Sequence, residues 1–139
     1  MKKVISIFLV LSVMFGLSSC TDKPEGSVEN VKITKVSSEI YTDEEIEEAI
    51  DVTKNYFKKF FSGCTLTEIE YVGDENLDFY QEFADRSNAD EVIVFKSTFD
   101  VDDETRDDGL ESNFTYENWN WILVRNNGGK WRHVDHGYA

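Results

Sequence analysis

The residue types best suited to acid–base chemistry lie close to the C-terminus. Asn120, His133 and Asp135 stand in two segments that flank the pair Asn127-Gly128. An imidazole beside a carboxylate can accept and return a proton, and these groups are the usual general acids and bases of enzymes. If the fold brings the three side chains together, the chemistry they would support is proton transfer of an isomerase or hydrolase type.

The segments on either side of Asn127-Gly128 are rich in aromatic and β-branched residues, a pattern typical of a β-hairpin. With a two-residue turn at Asn127 and Gly128, the opposed pairs are Val124 with Trp131, Ile122 with His133, and Asn120 with Asp135. This register places the three polar residues on one face of the sheet. A one-residue bulge at Gly129 would shift the register and move some of these side chains to the other face of the sheet. The competing interpretation is a hydrogen-bonded polar end of the sheet.

Two potential metal sites are suggested by residue type and rejected by spacing. His133 and His136 lie three positions apart, so on a regular strand they point to opposite faces and would not share a zinc ion. Six acidic residues between positions 100 and 108 would suit calcium, but Thr105 stands where an EF-hand loop requires glycine. A solvated acidic loop is the preferred interpretation, and we expect no metal and no cofactor.

Trp119 and Trp121 share one face of the predicted strand, which leaves two interpretations open. They would form an exposed platform for a sugar or for a second copy of the chain, or they would pack in the core against a helix. The candidate ligand-binding residues are therefore Trp119, Trp121, Asn120, His133 and Asp135. Cys64 has a similar pair of interpretations, a small buried apolar residue or a reactive thiol.

The elements that must position these residues begin with a helix predicted over 43–62. Thr42 suits the N-cap and Glu45 follows three residues later, as in a capping box. The apolar positions recur at helical spacing, namely Ile46, Ala49, Ile50, Thr53, Phe57 and Phe60. Gly63 suits the left-handed position that follows a helix.

The rest of the chain predicts a strand over 65–72, a turn at 73–76, a shorter helix over 77–88, a strand over 91–101, an acidic loop over 102–113 and the hairpin. Residues 31–34 suit a short edge strand. The order helix, strand, helix, three strands predicts an α+β domain over residues 40–139, with the helices on one face of an antiparallel sheet.

The N-terminus has the layout of a secretory signal peptide, a basic start followed by an apolar run from Val4 to Leu17. Leu17, Ser18, Ser19 and Cys20 then resemble the lipobox of bacterial lipoproteins. The resemblance implies that residues 1–19 are removed and that Cys20 is lipidated. Residues 20–39 would then be a flexible tether that holds the domain at the extracytoplasmic face of the cell membrane.

The net charge excludes one class of partner. The chain has 14 basic and 28 acidic residues, and removal of Lys2 and Lys3 with the signal peptide leaves 12 and 28, a formal charge of −16. A nucleic-acid-binding protein needs a basic surface, which this composition does not provide. We therefore expect no nucleic-acid partner.

The C-terminal half carries a family resemblance. The strand around Trp119 and Trp121, the turn Gly128-Gly129-Lys130-Trp131 and the ending Gly137-Tyr138 resemble the nuclear-transport-factor-two-like superfamily. The region 41–138 resembles uncharacterised lipoproteins of Gram-positive bacteria that carry such a domain. The resemblance implies a cystatin-like cone, in which a curved sheet wraps around the long first helix and leaves a pocket at its open end.

Members of this superfamily include isomerases, ligand-binding modules and interaction domains, so the fold does not determine the function. The first hypothesis is a non-catalytic domain on a lipid anchor, which binds a small molecule or a cell-envelope protein. The second is a small pocket enzyme with His133 and Asp135 as acid–base residues. The third is an assembly domain that forms a homodimer through its outer sheet face.

Overall fold

The computed structural model describes residues 24–138, which form eight elements. In chain order these are β1 (Lys32–Thr34), α1 (Asp43–Phe60), β2 (Cys64–Tyr71), a 3-10 helix (Asp74–Tyr80), α2 (Gln81–Arg86), β3 (Glu91–Val101), β4 (Thr115–Arg125) and β5 (Arg132–Gly137). The signal peptide and Cys20, which the sequence predicts, lie outside the described residues.

The strands form one open five-stranded sheet in the order β1-β2-β3-β4-β5. The pairs from β2 to β5 are antiparallel, while β1 runs parallel to β2, so the sheet is mixed rather than purely antiparallel. The α+β class is confirmed. The predicted order differs from the observed one because β1 precedes the first helix and a 3-10 helix precedes the second.

Helix α1 begins as the sequence predicts. The Thr42 hydroxyl accepts a hydrogen bond from the Glu45 amide, and the Glu45 carboxylate accepts one from the Thr42 amide, which completes a capping box. The helix ends at Phe60, two residues before the predicted end at 62. Its buried face carries the following residues: Ile46, Ala49, Ile50, Thr53 and Phe57.

Arg125 ties the start of α1 to the sheet. Its guanidinium donates hydrogen bonds to Glu91 at 2.9 and 3.0 Å and to Glu45 at 2.6 Å, and only 3% of the residue is exposed. The rings of Tyr41 and Trp131 lie 5.5 and 4.2 Å from the guanidinium carbon. A buried charge with two carboxylate partners and two aromatic faces is fully compensated, so this network fixes the helix on the sheet.

Three β-bulges interrupt the regular pairing. One lies at Thr67 in β2, one at Glu117 and Asn118 in β4, and one at Val134 in β5. Asn118 has a positive φ of 56°, which asparagine tolerates better than most residues. A bulge bends its strand and increases the local twist.

Helices cover both faces of the sheet, which corrects the prediction that they lie on one face. We call the face that carries α1 the inner face, and the face that carries the 3-10 helix and α2 the outer face. In β3 four consecutive residues from Val92 to Phe95 are at most 3% exposed, as expected where both faces of a strand are covered. From Lys96 onward exposed and buried residues alternate, because α2 does not extend that far.

Part of the predicted tether is docked on the domain. The Gly26 amide donates a hydrogen bond to the Lys58 carbonyl at 2.9 Å, and Ser27 bridges to Thr65. A Cβ atom on residue 26 would lie 2.7 Å from the carbonyl oxygens of Phe57 and Phe61, so only glycine fits here. Gly26 and Ser27, which belong to the predicted tether, are therefore packed on the domain.

Candidate functional site

The hairpin turn has the predicted conformation but a different register. Asn127 and Gly128 have φ values of 51° and 65°, and the Gly129 amide donates to the Asn126 carbonyl at 2.9 Å, as in a type I′ turn. Regular pairing resumes only at Arg132, which lies opposite Val124. The predicted pairs are therefore wrong, by one position for Val124 with Trp131 and by two positions for Ile122 with His133 and for Asn120 with Asp135.

This register separates the predicted acid–base set. His133 lies opposite Leu123 and faces the inner side, whereas Asp135 lies opposite Ile122 and faces the outer side. Asn120 also faces the outer side, in one row with Lys96. Its Oδ1 atom is buried and has no hydrogen-bond partner among the described residues. The structure therefore does not bring Asn120, His133 and Asp135 into one cluster.

The bulge at Val134 instead brings the two histidines together, which corrects the prediction that they point to opposite faces. An extra residue between His133 and Asp135 shifts the alternation by one position, so His136 returns to the inner face. The His136 Nδ1 and His133 Nε2 atoms lie 3.1 Å apart. One nitrogen donates and the other accepts, so this hydrogen bond requires at least one neutral ring.

Aromatic rings enclose this histidine pair. The Tyr56 ring of α1 stacks on His133 with centroids 3.8 Å apart, and Trp119 stacks on His136 at 5.9 Å. Burial, and after it the repulsion that a protonated His136 would exert, lowers the pKa of His133 to about 4, against the opposing effect of Asp135. Burial also lowers the pKa of His136, against the effect of Asp135. Both rings are therefore neutral at pH 7.

Both tryptophans of the proposed platform belong to the packing between α1 and the sheet. Trp121 is fully buried, lies 6.1 Å from both Tyr56 and Phe57, and donates a hydrogen bond to the Ser97 hydroxyl at 2.7 Å. Trp119 is partly buried and meets Phe61 edge to face at 6.3 Å. The observed arrangement is the core-packing interpretation rather than an exposed platform.

The acidic loop and Cys64 have structural roles. The guanidinium of Arg106 donates to Asp108, to Asp102 and to the Ser62 carbonyl, so the loop is fastened to the end of α1.

Burial raises the pKa of the Cys64 thiol to about 11, which makes it a weak nucleophile. Within residues 24–138 no group of three His, Cys, Asp or Glu side chains is arranged to hold a metal ion.

A cavity lies on the outer face, between the sheet and the helical segment 74–86. We call it the outer pocket, and its volume is about 610 Å³. Its lining combines three aromatic residues with three charged and two other side chains: Phe79, Tyr80, Phe83, Glu70, Glu82, Lys96, Val72 and Asn76. Pockets of this size with mostly apolar walls and a few polar groups are typical small-molecule sites.

The walls of the outer pocket come from two elements. Glu70 and Lys96 are directly opposed on β2 and β3 and form the floor. The helical segment 74–86 forms the other wall. In this wall the Asn76 side chain donates a hydrogen bond to the Val72 carbonyl at 2.7 Å. Phe79 is 81% exposed at the rim of the pocket.

Sequence reasoning missed this pocket, although one signal pointed to it. The predicted helix over 77–88 buries Leu77 and Ala84, so Phe79 and Phe83 fall outside its apolar stripe. Aromatic residues off the buried stripe of a short helix predict an exposed apolar surface. The residues that complete the pocket belong to strands distant in sequence, and only the tertiary fold places them there.

Across residues 24–138 no helix is both long enough and apolar enough to span a membrane. Comparison of the chain with protein-family models, with curated proteins and with solved structures finds no match to any of them.

Proposed function

We propose that this chain is a lipoprotein whose domain, held at the extracytoplasmic face of the membrane by lipid on Cys20, binds a small molecule in the outer pocket without catalysis. The observation that carries the binding function is the pocket itself, an open cavity of about 610 Å³ with an 81% exposed phenylalanine at its rim. Exposed aromatic surface next to a cavity is commonly retained for a ligand.

The acid–base alternative has weaker support. Its two residues, His133 and Asp135, face opposite sides of the sheet. The His133 ring is also stacked against Tyr56, and burial lowers its pKa to about 4, so it is a weak base at neutral pH. A catalytic group needs reach to its substrate, and neither residue lines the outer pocket.

The nuclear-transport-factor-two-like cone remains part of the proposal. A curved sheet with one long helix on its inner face is consistent with it, and the bulges supply the curvature. In this chain, however, the inner face is filled by aromatic side chains and the cavity lies on the outer face. We therefore assign ligand binding to the outer pocket and not to the open end of the cone.

The binding function is tested by native mass spectrometry of the chain purified from its own membranes. We expect an added small-molecule mass on the wild type, its loss in Phe79→Ala, and its retention in the matched variant Phe114→Ala, whose ring is 44% exposed outside the pocket. A bare mass for all three proteins would contradict the proposal, and a doubled mass would favour the homodimer instead.

The anchor is tested independently of the ligand. Cys20→Ala should abolish lipidation, so the protein should be released to the medium or remain unprocessed. Membrane fractionation with intact mass measurement checks this result. An unmodified Cys20 on wild-type protein in the membrane fraction would contradict the lipoprotein assignment while leaving the binding function untouched.

A further inference from the structure

We propose, building on the binding function above, that the outer pocket takes a zwitterion with a large apolar side chain, such as a free apolar or aromatic α-amino acid. Glu70 would receive its ammonium group, Lys96 its carboxylate, and the rings of Phe79, Tyr80 and Phe83 its side chain.

The floor of the pocket offers one charge of each sign. Glu70 and Lys96 are cross-strand partners, both exposed, and they are not within salt-bridge distance of each other or of another described residue. Directly opposed side chains have Cβ atoms roughly 5 Å apart, a separation that two adjacent charges on one small ligand can span. Any pair they form in solution is an exposed one and contributes at most about 1 kcal/mol, so a ligand can displace it.

The neighbouring carboxylates have ion-pair partners of their own, whereas Glu70 and Lys96 have none among the described residues. Glu82 lies 3.8 Å from Arg86, whose guanidinium also covers the Phe83 ring at 4.7 Å. Glu68, on the far side of Glu70, accepts a hydrogen bond from Lys32 at 3.2 Å. A ligand with a single negative charge would be attracted by Lys96 and repelled by Glu70. A ligand with a single positive charge would be attracted by Glu70 and repelled by Lys96.

The opposite wall selects an apolar body. Tyr80 and Phe83 have ring centroids 6.2 Å apart, a distance at which aromatic side chains pack, and Phe79 stands exposed beside them. An aromatic guest inserted among these rings would cover Phe79 and gain offset or edge contacts.

Three probes with the same phenyl ring test the charge requirement. L-phenylalanine carries both charges, 3-phenylpropionate carries only the carboxylate, and phenethylamine carries only the ammonium group. Their affinities for the full-length chain in detergent are measured by protein-observed NMR titration. We expect L-phenylalanine to bind about tenfold more tightly than either analogue, since each charge-assisted hydrogen bond contributes roughly that factor.

Two variants assign the charges to residues. Glu70→Gln should remove the advantage of L-phenylalanine over 3-phenylpropionate, and Lys96→Met should remove its advantage over phenethylamine. The matched controls Glu48→Gln and Lys130→Met, on exposed residues outside the pocket, should leave the order of affinities unchanged. Because all four sites are exposed, the variants should fold normally.

Failure of this inference is distinguishable from failure of the binding function. Equal affinities for the three probes, all lost in Phe79→Ala, would overturn the zwitterion while supporting the pocket. The zwitterion would also be overturned, and the pocket supported, if Glu70→Gln and Lys96→Met left the order of affinities unchanged. No binding at concentrations up to about 10 mM, the weak end expected for ligands this small, would also overturn the inference. The binding function would then be decided by the native mass experiment.

Discussion

The two faces of the sheet use aromatic residues in opposite ways. On the inner face, Tyr56 and Phe57 of α1 pack against Trp121 and the histidine pair, and the space between helix and sheet is filled. On the outer face, Phe79 and its neighbours leave a cavity of about 610 Å³ above β2 and β3. Of the three residues predicted for acid–base chemistry only His133 is on the filled face, and the open site is lined by residues that the sequence analysis did not single out.

The helices that cover the two faces also differ, in length and in capping. The helix on the inner face is 18 residues long, has a capping box and is tied down by Arg125. The 3-10 helix and α2 on the outer face have 7 and 6 residues and no side-chain caps. Short helical segments without caps open more readily, so the outer cover is the part of the domain suited to admitting a ligand.

The largest expected effect comes from breaking the filled face. Phe57 is fully buried at the centre of the inner packing, so Phe57→Ala should lower the free energy of unfolding by about 3–5 kcal/mol. Urea denaturation measures the loss. Phe60→Ala is the matched control, because the Phe60 ring is 55% exposed three residues later on the same helix. Similar losses for both variants would contradict the assignment of the inner face.

The histidine pair makes the inner face sensitive to pH. Burial lowers the pKa of His133 to about 4 from an unfolded value near 6.5, so the unfolded chain binds more protons in this range. Stability should therefore be full above pH 6.5 and fall as the pH drops toward 4. The free energy of unfolding should fall by about 1–2 kcal/mol. This is less than the full pKa shift would give, because the ring is only half-buried and solvent screens its charge.

The control for this prediction is His133→Phe, which keeps a ring against Tyr56 but cannot titrate. Its free energy of unfolding should change less between pH 6.5 and 4 in denaturant melts. Carboxylates with lowered pKa values, such as Asp74 and Asp108, lose their contribution below this window and affect both proteins alike. Equal slopes for wild type and variant would remove His133 as the cause.

A smaller loss of stability is expected at the capped N-terminus of α1. Thr42→Ala removes the side-chain acceptor of the α1 capping box and should lower the free energy of unfolding by about 1 kcal/mol. Thr105→Ala, in the exposed acidic loop, is the matched control and should have no measurable effect. An unchanged melt for Thr42→Ala would mean that Arg125 alone determines where the helix begins.

The smallest effect on stability is expected at the rim of the outer pocket. Phe79→Ala removes a ring that is 81% exposed, so the free energy of unfolding should change by less than about 0.5 kcal/mol. The same variant should lose ligand, as argued above. A large loss of stability, measured by the same denaturant melts, would mean that Phe79 supports the fold and would weaken its assignment to binding.

Local signals predicted much of the fold. The N-terminus of α1 follows from Thr42 and Glu45, the extent of β3 was predicted as 91–101, and the hairpin turn follows from Asn127-Gly128. Each of these depends on residues close together in the chain, which is why the sequence alone indicates them. The α+β class follows from the order of such elements.

The candidate site could not be predicted in the same way, because it depends on register and on contacts distant in sequence. One extra residue at Val134 reverses the face of every side chain that follows it, which unites His133 with His136 and separates His133 from Asp135. No local pattern at Val134 marks this bulge. The outer pocket likewise requires β2, β3 and the segment 74–86 to meet, and their pairing is a property of the whole sheet.

The docking of Gly26 sets how far the domain can stand from a membrane. With Cys20 acylated, as proposed, five residues lie between the lipidated residue and Gly26, a stretch that spans at most about 20 Å when fully extended. Gly26 lies at the C-terminal end of α1, where Arg106 also fastens the acidic loop. Val72 and α2 lie toward the opposite end of β2 and β3. The outer pocket therefore lies toward the end of the sheet that is far from the point where the proposed anchor would join the domain.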